Sequence, residues 1–356
     1  MRKKDLKIIQ NNIGNGKVKI LLGAYCSQVK EFLLKIIPTL FNDKKKIFVI
    51  NDDFPKDYLF KYLLDNIQDN ALFLIHKLPG YLNVEAIINL FAGNKGCDLI
   101  ATSNVDLVRE YGEDSTNIRG RIKYIYYPSV IYDDFIDSGE KDVIAFLKKT
   151  KTNVFAEISN YKYCRIAEMI MNEINKQIGY PLSISTIYGN IKVDVSLNTF
   201  TSIVNYLMKH GFLYVVNKMD LNKNDVVNNY VYFYPTDISS IVRADIKDDY
   251  IEDKVLETFA IAKMIQDNNI VWKAVYRNSD NDPYNPLLNT LLVMGENKKM
   301  FVKIYFKNNE QSLDRYLKYK SLYPKYILVK DKVERAMDKN GVTYINVIDY
   351  LENGIK

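Results

Sequence analysis

The sequence predicts an α/β protein that begins with a parallel sheet and ends with a second α/β region. Residues 17–37 form a short apolar run, a glycine and then apolar residues at helical spacing, which is typical of a strand, a tight turn and a helix. Apolar runs then alternate with helical segments as far as residue 127. Because parallel strands need long crossover connections, this alternation favours a parallel sheet covered by helices on both faces. A further group of apolar runs and helices follows residue 230.

Length and composition exclude several classes of protein. The 356 residues suggest two or three domains, and the 47% hydrophobic and 26% charged fractions are ordinary for a globular chain. No apolar run approaches the ~20 residues that span a bilayer, so we expect a cytoplasmic protein without membrane contact. The net charge of +6 permits an anionic partner without requiring one. Cys26, Cys97 and Cys164 lie far apart, which predicts free thiols and neither a disulfide framework nor a zinc site.

The first domain is expected to end near residue 138. Its first strand is followed by Gly23, which permits the sharp turn into the helix. The strand at 47–50 is expected to be buried on both faces, like the other strands of a covered parallel sheet. The predicted strands are 18–22, 47–50, 71–75, 98–102 and 123–127, and the predicted helices after the first are 56–67 and 83–91.

A helical connector and a helix-turn-helix with a β wing are predicted next. Apolar residues at spacings of three and four indicate helices between 140 and 178. Ser196 is a good N-cap for a second short helix, and Gly211 suits its C-terminal end. The polar stretch 217–229 is interpreted as a loop. The second helix offers polar side chains to a partner: Asn198, Thr199, Thr201, Ser202, Asn205 and Lys209.

The last domain is predicted to be a small α/β domain. Four apolar side chains are expected to give its helix at 310–320 a face that covers the sheet: Tyr316, Leu317, Leu322 and Tyr323. Its other predicted elements are a helix at 255–266 and strands at 271–276, 288–294, 301–306, 326–329 and 342–345.

The turn after the first strand has the context of a phosphate-binding loop without its chemistry. Such a loop, GxxxxGK[ST], cradles phosphates with backbone N–H groups while its lysine reaches the terminal oxygens. Gly23 fits the first glycine, but Gln28, Val29 and Lys30 stand where glycine, lysine and a hydroxyl residue are needed. The sequence therefore predicts a nucleotide-binding scaffold that lacks its nucleotide-binding groups.

The order of these landmarks resembles prokaryotic AAA+ ATPases that carry a C-terminal region of unknown function, made of a winged helix and a restriction-nuclease-like domain. The resemblance covers essentially the whole chain. It implies four regions: a P-loop NTPase-like AAA+ domain at 1–138, a helical lid or connector at 139–180, a winged helix at 181–225 and a nuclease-like α/β domain at 226–356.

Catalytic positions of that family are missing here. The family has a run like LFLDEIHKLP, whose acidic pair holds magnesium and polarises water, whereas residues 72–79 read LFLIHKLP. We interpret His76 as a packing residue and not as a replacement ligand. Asn104 stands where the family senses the γ-phosphate, and Arg121 stands in place of its arginine finger. Arg121 equally suits an ion pair at a domain or subunit contact. The resemblance therefore makes four residues a vestigial cofactor site: Gly23, Lys30, Asn104 and Arg121.

The nuclease positions are replaced as well. Thr290, Lys303 and Tyr305 stand where the family has its metal ligands and catalytic lysine, so no metal site is expected. Glu257 matches a family glutamate, but a single carboxylate is more typical of a solvated or paired side chain.

Two functional hypotheses follow from these losses. The first is a pseudo-ATPase and pseudo-nuclease, a catalytically silent scaffold without a cofactor that binds DNA, a partner protein or further copies of itself. The second is a weak ATPase acting on DNA. In this hypothesis Lys30, one position after the expected lysine, contacts the phosphate, and Asp52 or Asp53 binds magnesium. Winged helices also dock proteins, so DNA and protein remain open as partners of the second helix.

Overall fold

The computed structural model describes residues 3–23, 27–41, 44–105, 107, 118, 120–127, 130–150, 158–159, 161–221, 225–243, 250–267, 269–275, 287, 289–295, 298–306, 310–331, 333 and 335–355. The chain divides into two compact units. The first contains residues 1–130, 151–167 and 205–212, and the second contains residues 131–150, 168–204 and 213–356. The division into four domains remains a prediction. Within the described ranges, no helix is both long enough and apolar enough to cross a membrane.

The first unit contains a parallel sheet of five strands in the order β2-β3-β4-β1-β5. The strands are β1 (Val18–Leu22), β2 (Lys46–Ile50), β3 (Ala71–Ile75), β4 (Cys97–Ser103) and β5 (Ile122–Tyr126). Each predicted strand is present within one residue of its expected bounds. Strands β3 and β4 are buried along their whole length, as a sheet covered on both faces requires.

Helices connect these strands, as the alternating pattern predicted. The connecting elements are α2 (Ser27–Glu31), a π-helical segment (Phe32–Ile36), α3 (Ile37–Phe41), α4 (Leu59–Asn66) and α5 (Val84–Phe91), whereas α1 (Lys3–Asn12) precedes β1. One expectation about the sheet is wrong, because β2 is not buried on both faces. It lies at the end of the sheet beside β3, and Val49 is 44% exposed while Ile50 is fully buried. An edge strand lacks a neighbour on one side, which its apolar sequence does not reveal.

A buried ion cluster joins the loop after α1 to the amino-terminal half of the sheet. Asp98 on β4 accepts hydrogen bonds from Lys19 Nζ and Gly14 N, and its second oxygen lies 2.8 Å from Lys45 Nζ. Lys19 and Asp98 are both buried. Burial alone would raise the pKa of Asp98, but the hydrogen bonds from Lys19, Lys45 and Gly14 outweigh it and lower the pKa.

The second unit contains a sheet of eight strands in the order β12-β13-β11-β10-β9-β8-β6-β7. Its strands are β6 (Leu213–Asp220), β7 (Asp225–Pro235), β8 (Ile270–Val275), β9 (Thr290–Met294), β10 (Lys299–Tyr305), β11 (Lys325–Val329), β12 (Ala336–Met337) and β13 (Val342–Asn346). Strands β10, β11 and β13 are parallel, whereas β9 is antiparallel to both β8 and β10. Residues 276 and 288, at the ends of two predicted strands, lie outside the described residues.

The remaining helices follow one another along the chain. They are α6 (Tyr132–Ser138), α7 (Val143–Lys149), α8 (Cys164–Lys176), α9 (Ile184–Asn190), α10 (Leu197–Lys209), α11 (Ser239–Arg243), α12 (Ile251–Gln266), α13 (Glu310–Lys318) and α14 (Val347–Asn353). Helices α7 and α8 confirm the predicted helical segments between 140 and 178. Helices α1, α6, α11 and α14 were not predicted.

Two predictions for this unit are wrong. The stretch 217–229 is not a single loop, because β6 and β7 pair as an antiparallel hairpin that continues to β8. Its charged residues Lys218 and Asp220 are buried, so polarity gave a false indication of a loop. Helix α13 ends at Lys318, and Leu322 and Tyr323 are 100% and 37% exposed instead of covering the sheet.

Candidate functional site

The candidate site lies where the strands of the first sheet end. Strand β1 lies between β4 and β5, and the chain leaves it toward β2 on one side and returns to β5 on the other. In open α/β sheets, ligands bind outside the carboxyl ends of the strands at such a reversal of strand order. The residues that follow β1 to β4 are therefore the ones to inspect.

Gly23 is required by backbone packing. Its N–H donates to Ser103 O at 3.0 Å, and Tyr127 N donates to Leu22 O at 2.8 Å, so three chain segments meet at this point. A Cβ atom at position 23 would lie 2.2 Å from the carbonyl oxygen of Tyr127. The glycine is thus explained without a phosphate. Residues 24–26 of the turn lie outside the described residues.

The lysine nearest to this turn is paired with a carboxylate. Lys30 Nζ lies 3.3 Å from Asp52 Oδ2, and Lys77 Nζ lies 3.8 Å from the same oxygen. Val29, at the position where a phosphate-loop lysine is needed, is buried with 3% of its surface exposed. The side chain of Gln28 lies outside the described residues. A phosphate at this edge would have to compete with Asp52 for Lys30.

His76 packs into the end of β3, which confirms its interpretation as a packing residue. It is 2% exposed, and its Nδ1 lies 2.9 Å from Thr102 Oγ1 on β4. Lys77 N donates to the same hydroxyl oxygen at 2.8 Å, so the hydroxyl proton is available to Nδ1. Burial lowers the pKa of His76 to about 4, against the attraction of Asp52, whose carboxylate is 3.8 Å from Nε2. The imidazole is neutral at pH 7.

Asn104 bonds to another side chain instead of projecting freely. Its Nδ2 donates to Nδ1 of His210, the residue that follows α10, at 2.8 Å. Both ring and amide are thereby oriented. The position at which the AAA+ family senses a phosphate is therefore occupied by a protein contact.

Arg121 does not join this group. It directly precedes β5, and its carbonyl oxygen accepts from Val18 N at 2.9 Å, so it lies where β1 and β5 begin. Its Nη1 donates to Asn89 Oδ1 at 2.6 Å. Of the four vestigial positions, Gly23, Lys30 and Asn104 lie at the carboxyl edge of the sheet, and Arg121 lies at the opposite edge.

The described residues at the carboxyl edge do not fit a magnesium nucleotide. Ile75 and His76 stand at the end of β3, where the family has two carboxylates, and neither is an anion. Lys30 and Asn104 already have protein partners. Over the part of the chain that the structure describes, no three His, Cys, Asp or Glu residues are placed to hold a metal ion.

The polar residues of α10 lie mostly on one exposed face. Ser196 Oγ accepts from Thr199 N at 3.2 Å, and Gly211 adopts a φ of +70°, so the predicted start and stop of this helix are both confirmed. Thr199 and Thr201 are half-buried. The exposed residues, whose spacing of four, three and four places them on a single stripe, are Asn198, Ser202, Asn205 and Lys209.

The residues that the resemblance assigns to nuclease positions include Thr290 and Lys303, which lie together but do not fit a divalent cation. Thr290 on β9 and Lys303 on β10 are directly opposite each other, and both are buried. Burial, together with the charge of Lys273, lowers the pKa of Lys303 to about 8. Glu257 accepts a hydrogen bond from Tyr234 at 2.6 Å and lies 3.5 Å from Lys273 Nζ, so it is a paired side chain, as expected. Tyr305 is half-buried at the end of β10.

Sequence reasoning missed three partners at the carboxyl edge. Lys77, Thr102 and His210 complete the contacts of Asp52, His76 and Asn104. Thr102 and His210 lie 26 and 106 residues from the side chains they contact. Only the expectation that parallel strands end at one edge could have placed Thr102 near His76, and no pattern indicated His210.

Comparison with known proteins leaves the family open. No protein-family model matches the chain, and no curated protein matches it. Among solved structures, Drosophila ORC bound to AT-rich DNA and Cdc6 is 12% identical, with 71% of this chain and 91% of that chain covered and a TM-score of 0.25. The Aeropyrum pernix ORC1 protein in complex with DNA is 10% identical, with 74% and 94% covered and a TM-score of 0.28. Scores this low do not establish a shared fold.

Proposed function

We propose that this chain is a catalytically silent, AAA+ ATPase-like scaffold that binds DNA or a partner protein through a winged helix and its C-terminal domain. One observation carries the proposal: the polar groups at the carboxyl edge of the first sheet are bonded to one another. Lys30 pairs with Asp52, His76 bonds to Thr102, and Asn104 bonds to His210. A nucleotide would have to break the His76–Thr102 and Asn104–His210 contacts, and the described end of β3 gives it no acidic pair for its magnesium.

The binding role rests on α10. Helices α9 and α10, followed by the β6–β7 hairpin, have the order of a helix-turn-helix with a wing. The exposed stripe of α10 carries two asparagines, and asparagine can bond to an adenine edge in the major groove. One lysine on that stripe gives little phosphate affinity, so we expect duplex binding with a shallow dependence on salt.

Fluorescence anisotropy with a labelled duplex tests this role. The double variant Asn198→Ala, Asn205→Ala should bind at least roughly tenfold more weakly than the unmodified protein, since each base contact is worth ~1–3 kcal/mol. Asn353→Ala, an exposed asparagine on α14, serves as the matched control and should bind normally. Duplex binding that the double variant leaves unchanged would contradict a DNA role for α10.

A weak ATPase is the second candidate, because one observation favours it. Lys30 and Asp52, the residues such an enzyme would recruit, lie against each other at the edge where Gly23 ends β1. The discriminating assay is phosphate release from ATP in the presence of duplex DNA. A silent scaffold releases none above background, whereas a weak ATPase would release phosphate and lose this activity in Lys30→Ala.

A further inference from the structure

A basic and aromatic surface lies beside the start of β11 in the second unit. We call it the 318-loop surface and define it by Lys299, Lys318, Lys320, Leu322 and Tyr323. A groove of about 660 Å³ opens along it, lined by residues 317–325 and by the turn at 340–341. The sequence pattern predicts that Leu322 and Tyr323 belong to a packed helix face, so the full exposure of Leu322 and the partial exposure of Tyr323 need another explanation.

The loop that carries this surface is firmly held from below. Lys325 is buried, and its Nζ donates to the carbonyl oxygens of Tyr316, Leu317 and Tyr319 at 3.2, 2.9 and 2.9 Å. These carbonyl groups lie in the last turn of α13 and just after it, where a helix leaves most carbonyl oxygens without intrahelical donors. The Tyr316 hydroxyl donates to Phe301 O at 3.2 Å. The loop is therefore preorganised, which lowers the entropy cost of binding a ligand.

Leu322 lies outside the core, whereas the centre of the Tyr323 ring lies 5.8 Å from that of the buried Phe301 ring and part of the Tyr323 side chain is exposed. Leu322 is fully exposed and Tyr323 is 37% exposed, while Lys318 and Lys320 are exposed beside them. Lys299 Nζ lies 5.8 Å from the centre of the Tyr323 ring, within the range of a cation–π contact. An apolar and aromatic tip surrounded by ammonium groups is the composition of a stacking platform for nucleic acid.

Neighbouring carboxylates do little to neutralise these lysines. Asp338 accepts hydrogen bonds from Asn340 N and Val342 N at 2.8 and 2.9 Å and stays charged, but the nearby ammonium group of Lys325 balances its charge. Asp314 lies 2.7 Å from Lys318 Nζ, but both side chains are more than half exposed. Such exposed pairs contribute little and exchange readily with a polyanion. The surface keeps a positive character.

We propose that the 318-loop surface binds single-stranded DNA, with Tyr323 stacked on a base and Lys299, Lys318 and Lys320 contacting phosphates. The choice of DNA rests on the proposed function, and the choice of a single strand rests on geometry. In a duplex the base faces are covered by their neighbours, so Leu322 and Tyr323 could reach them only in an unpaired strand.

Anisotropy of a labelled 20-nucleotide dT strand, with the full-length protein at several salt concentrations, tests the proposal. Tyr323→Ala should weaken binding roughly tenfold, and Tyr323→Phe should retain it, because stacking needs the ring and not the hydroxyl. The double variant Lys318→Gln, Lys320→Gln should lower the slope of log K against log salt by about 1.4, since each single-strand phosphate contact contributes ~0.7. Lys148→Gln, an exposed lysine on α7, is the matched control and should bind normally.

Three results would overturn the proposal: no binding of dT, binding that Tyr323→Ala leaves unchanged, or binding of anionic vesicles instead of dT. Thermal midpoints equal to that of the unmodified protein show that the variants are folded. Duplex binding is measured in parallel with the α10 double variant. If the loop variants lose single-strand binding and keep duplex binding, this inference is supported. If only the α10 variant changes, by losing duplex binding, the result bears on the proposed function and not on this inference.

Discussion

Gly23 shows how a residue that suggests phosphate chemistry can be fixed by packing. A Cβ atom there would lie 2.2 Å from Tyr127 O, which no rotamer change can relieve because the obstacle is backbone. We expect Gly23→Ala to lower the free energy of unfolding by about 1–3 kcal/mol, the usual cost of overpacking. Urea denaturation measures this. Gly120→Ala, where nothing lies within 4 Å of the new atom, is the control, and equal costs at the two sites would refute the packing explanation.

His76 makes the stability of the first unit depend on pH. Its pKa falls from 6.5 to about 4 through burial, with Asp52, Lys30 and Lys77 as its charged neighbours. Between these values the unfolded chain binds a proton that the folded chain does not. Stability therefore falls as pH is lowered through this window, by up to ~1.4 kcal/mol per pH unit.

The variant His76→Gln isolates this contribution. It should remove the proton linkage, so the difference in unfolding free energy between the unmodified protein and the variant should shrink from pH 7 to pH 4.5. Carboxylates that titrate in the same range are common to both proteins and cancel. A difference that stays constant with pH would show that His76 is not held neutral.

The end of α13 depends on one buried cation. Lys325→Met keeps the aliphatic stem but removes the ammonium group that donates to the carbonyl oxygens of Tyr316, Leu317 and Tyr319. We expect a loss of about 2 kcal/mol, typical of hydrogen bonds from a charged group, together with faster amide hydrogen exchange in α13. The exposed neighbour Lys320 provides the control, and Lys320→Met should change stability by less than ~0.5 kcal/mol. Similar losses for both variants would rule out a capping role.

Strands of the first sheet were predictable because apolar runs and their connections suffice to define a parallel sheet. What the sequence could not show was the position of β2 at the edge of that sheet, since strand order depends on tertiary packing. The sequence pattern also wrongly predicted a loop where β6 and β7 lie, because Lys218 and Asp220 are charged yet buried. Helix α13 was predicted too long for a related reason: Leu322 and Tyr323 match a helical spacing but belong to a loop.

Across the whole molecule, the sequence predicted only which residues typical of a nucleotide site are absent from the candidate site. The missing glycine, lysine and acidic pair could be counted along the chain, whereas the contacts that replace them join residues far apart in sequence. Asn104 and His210 are separated by 106 residues, and neither belongs to a pattern that names the other. The sequence predicts that residues typical of a nucleotide site are absent, and the structure shows which protein groups Lys30, His76 and Asn104 contact.

Isothermal titration of the full-length protein with Mg-ATP tests the silent-scaffold proposal most directly. Because Lys30, His76 and Asn104 are bonded within the protein, we predict no binding heat at millimolar nucleotide and no rise in the thermal midpoint. The variant Lys30→Ala should give the same flat titration. Micromolar or tighter binding by the unmodified protein, lost in Lys30→Ala, would contradict the proposal and establish the weak-ATPase alternative.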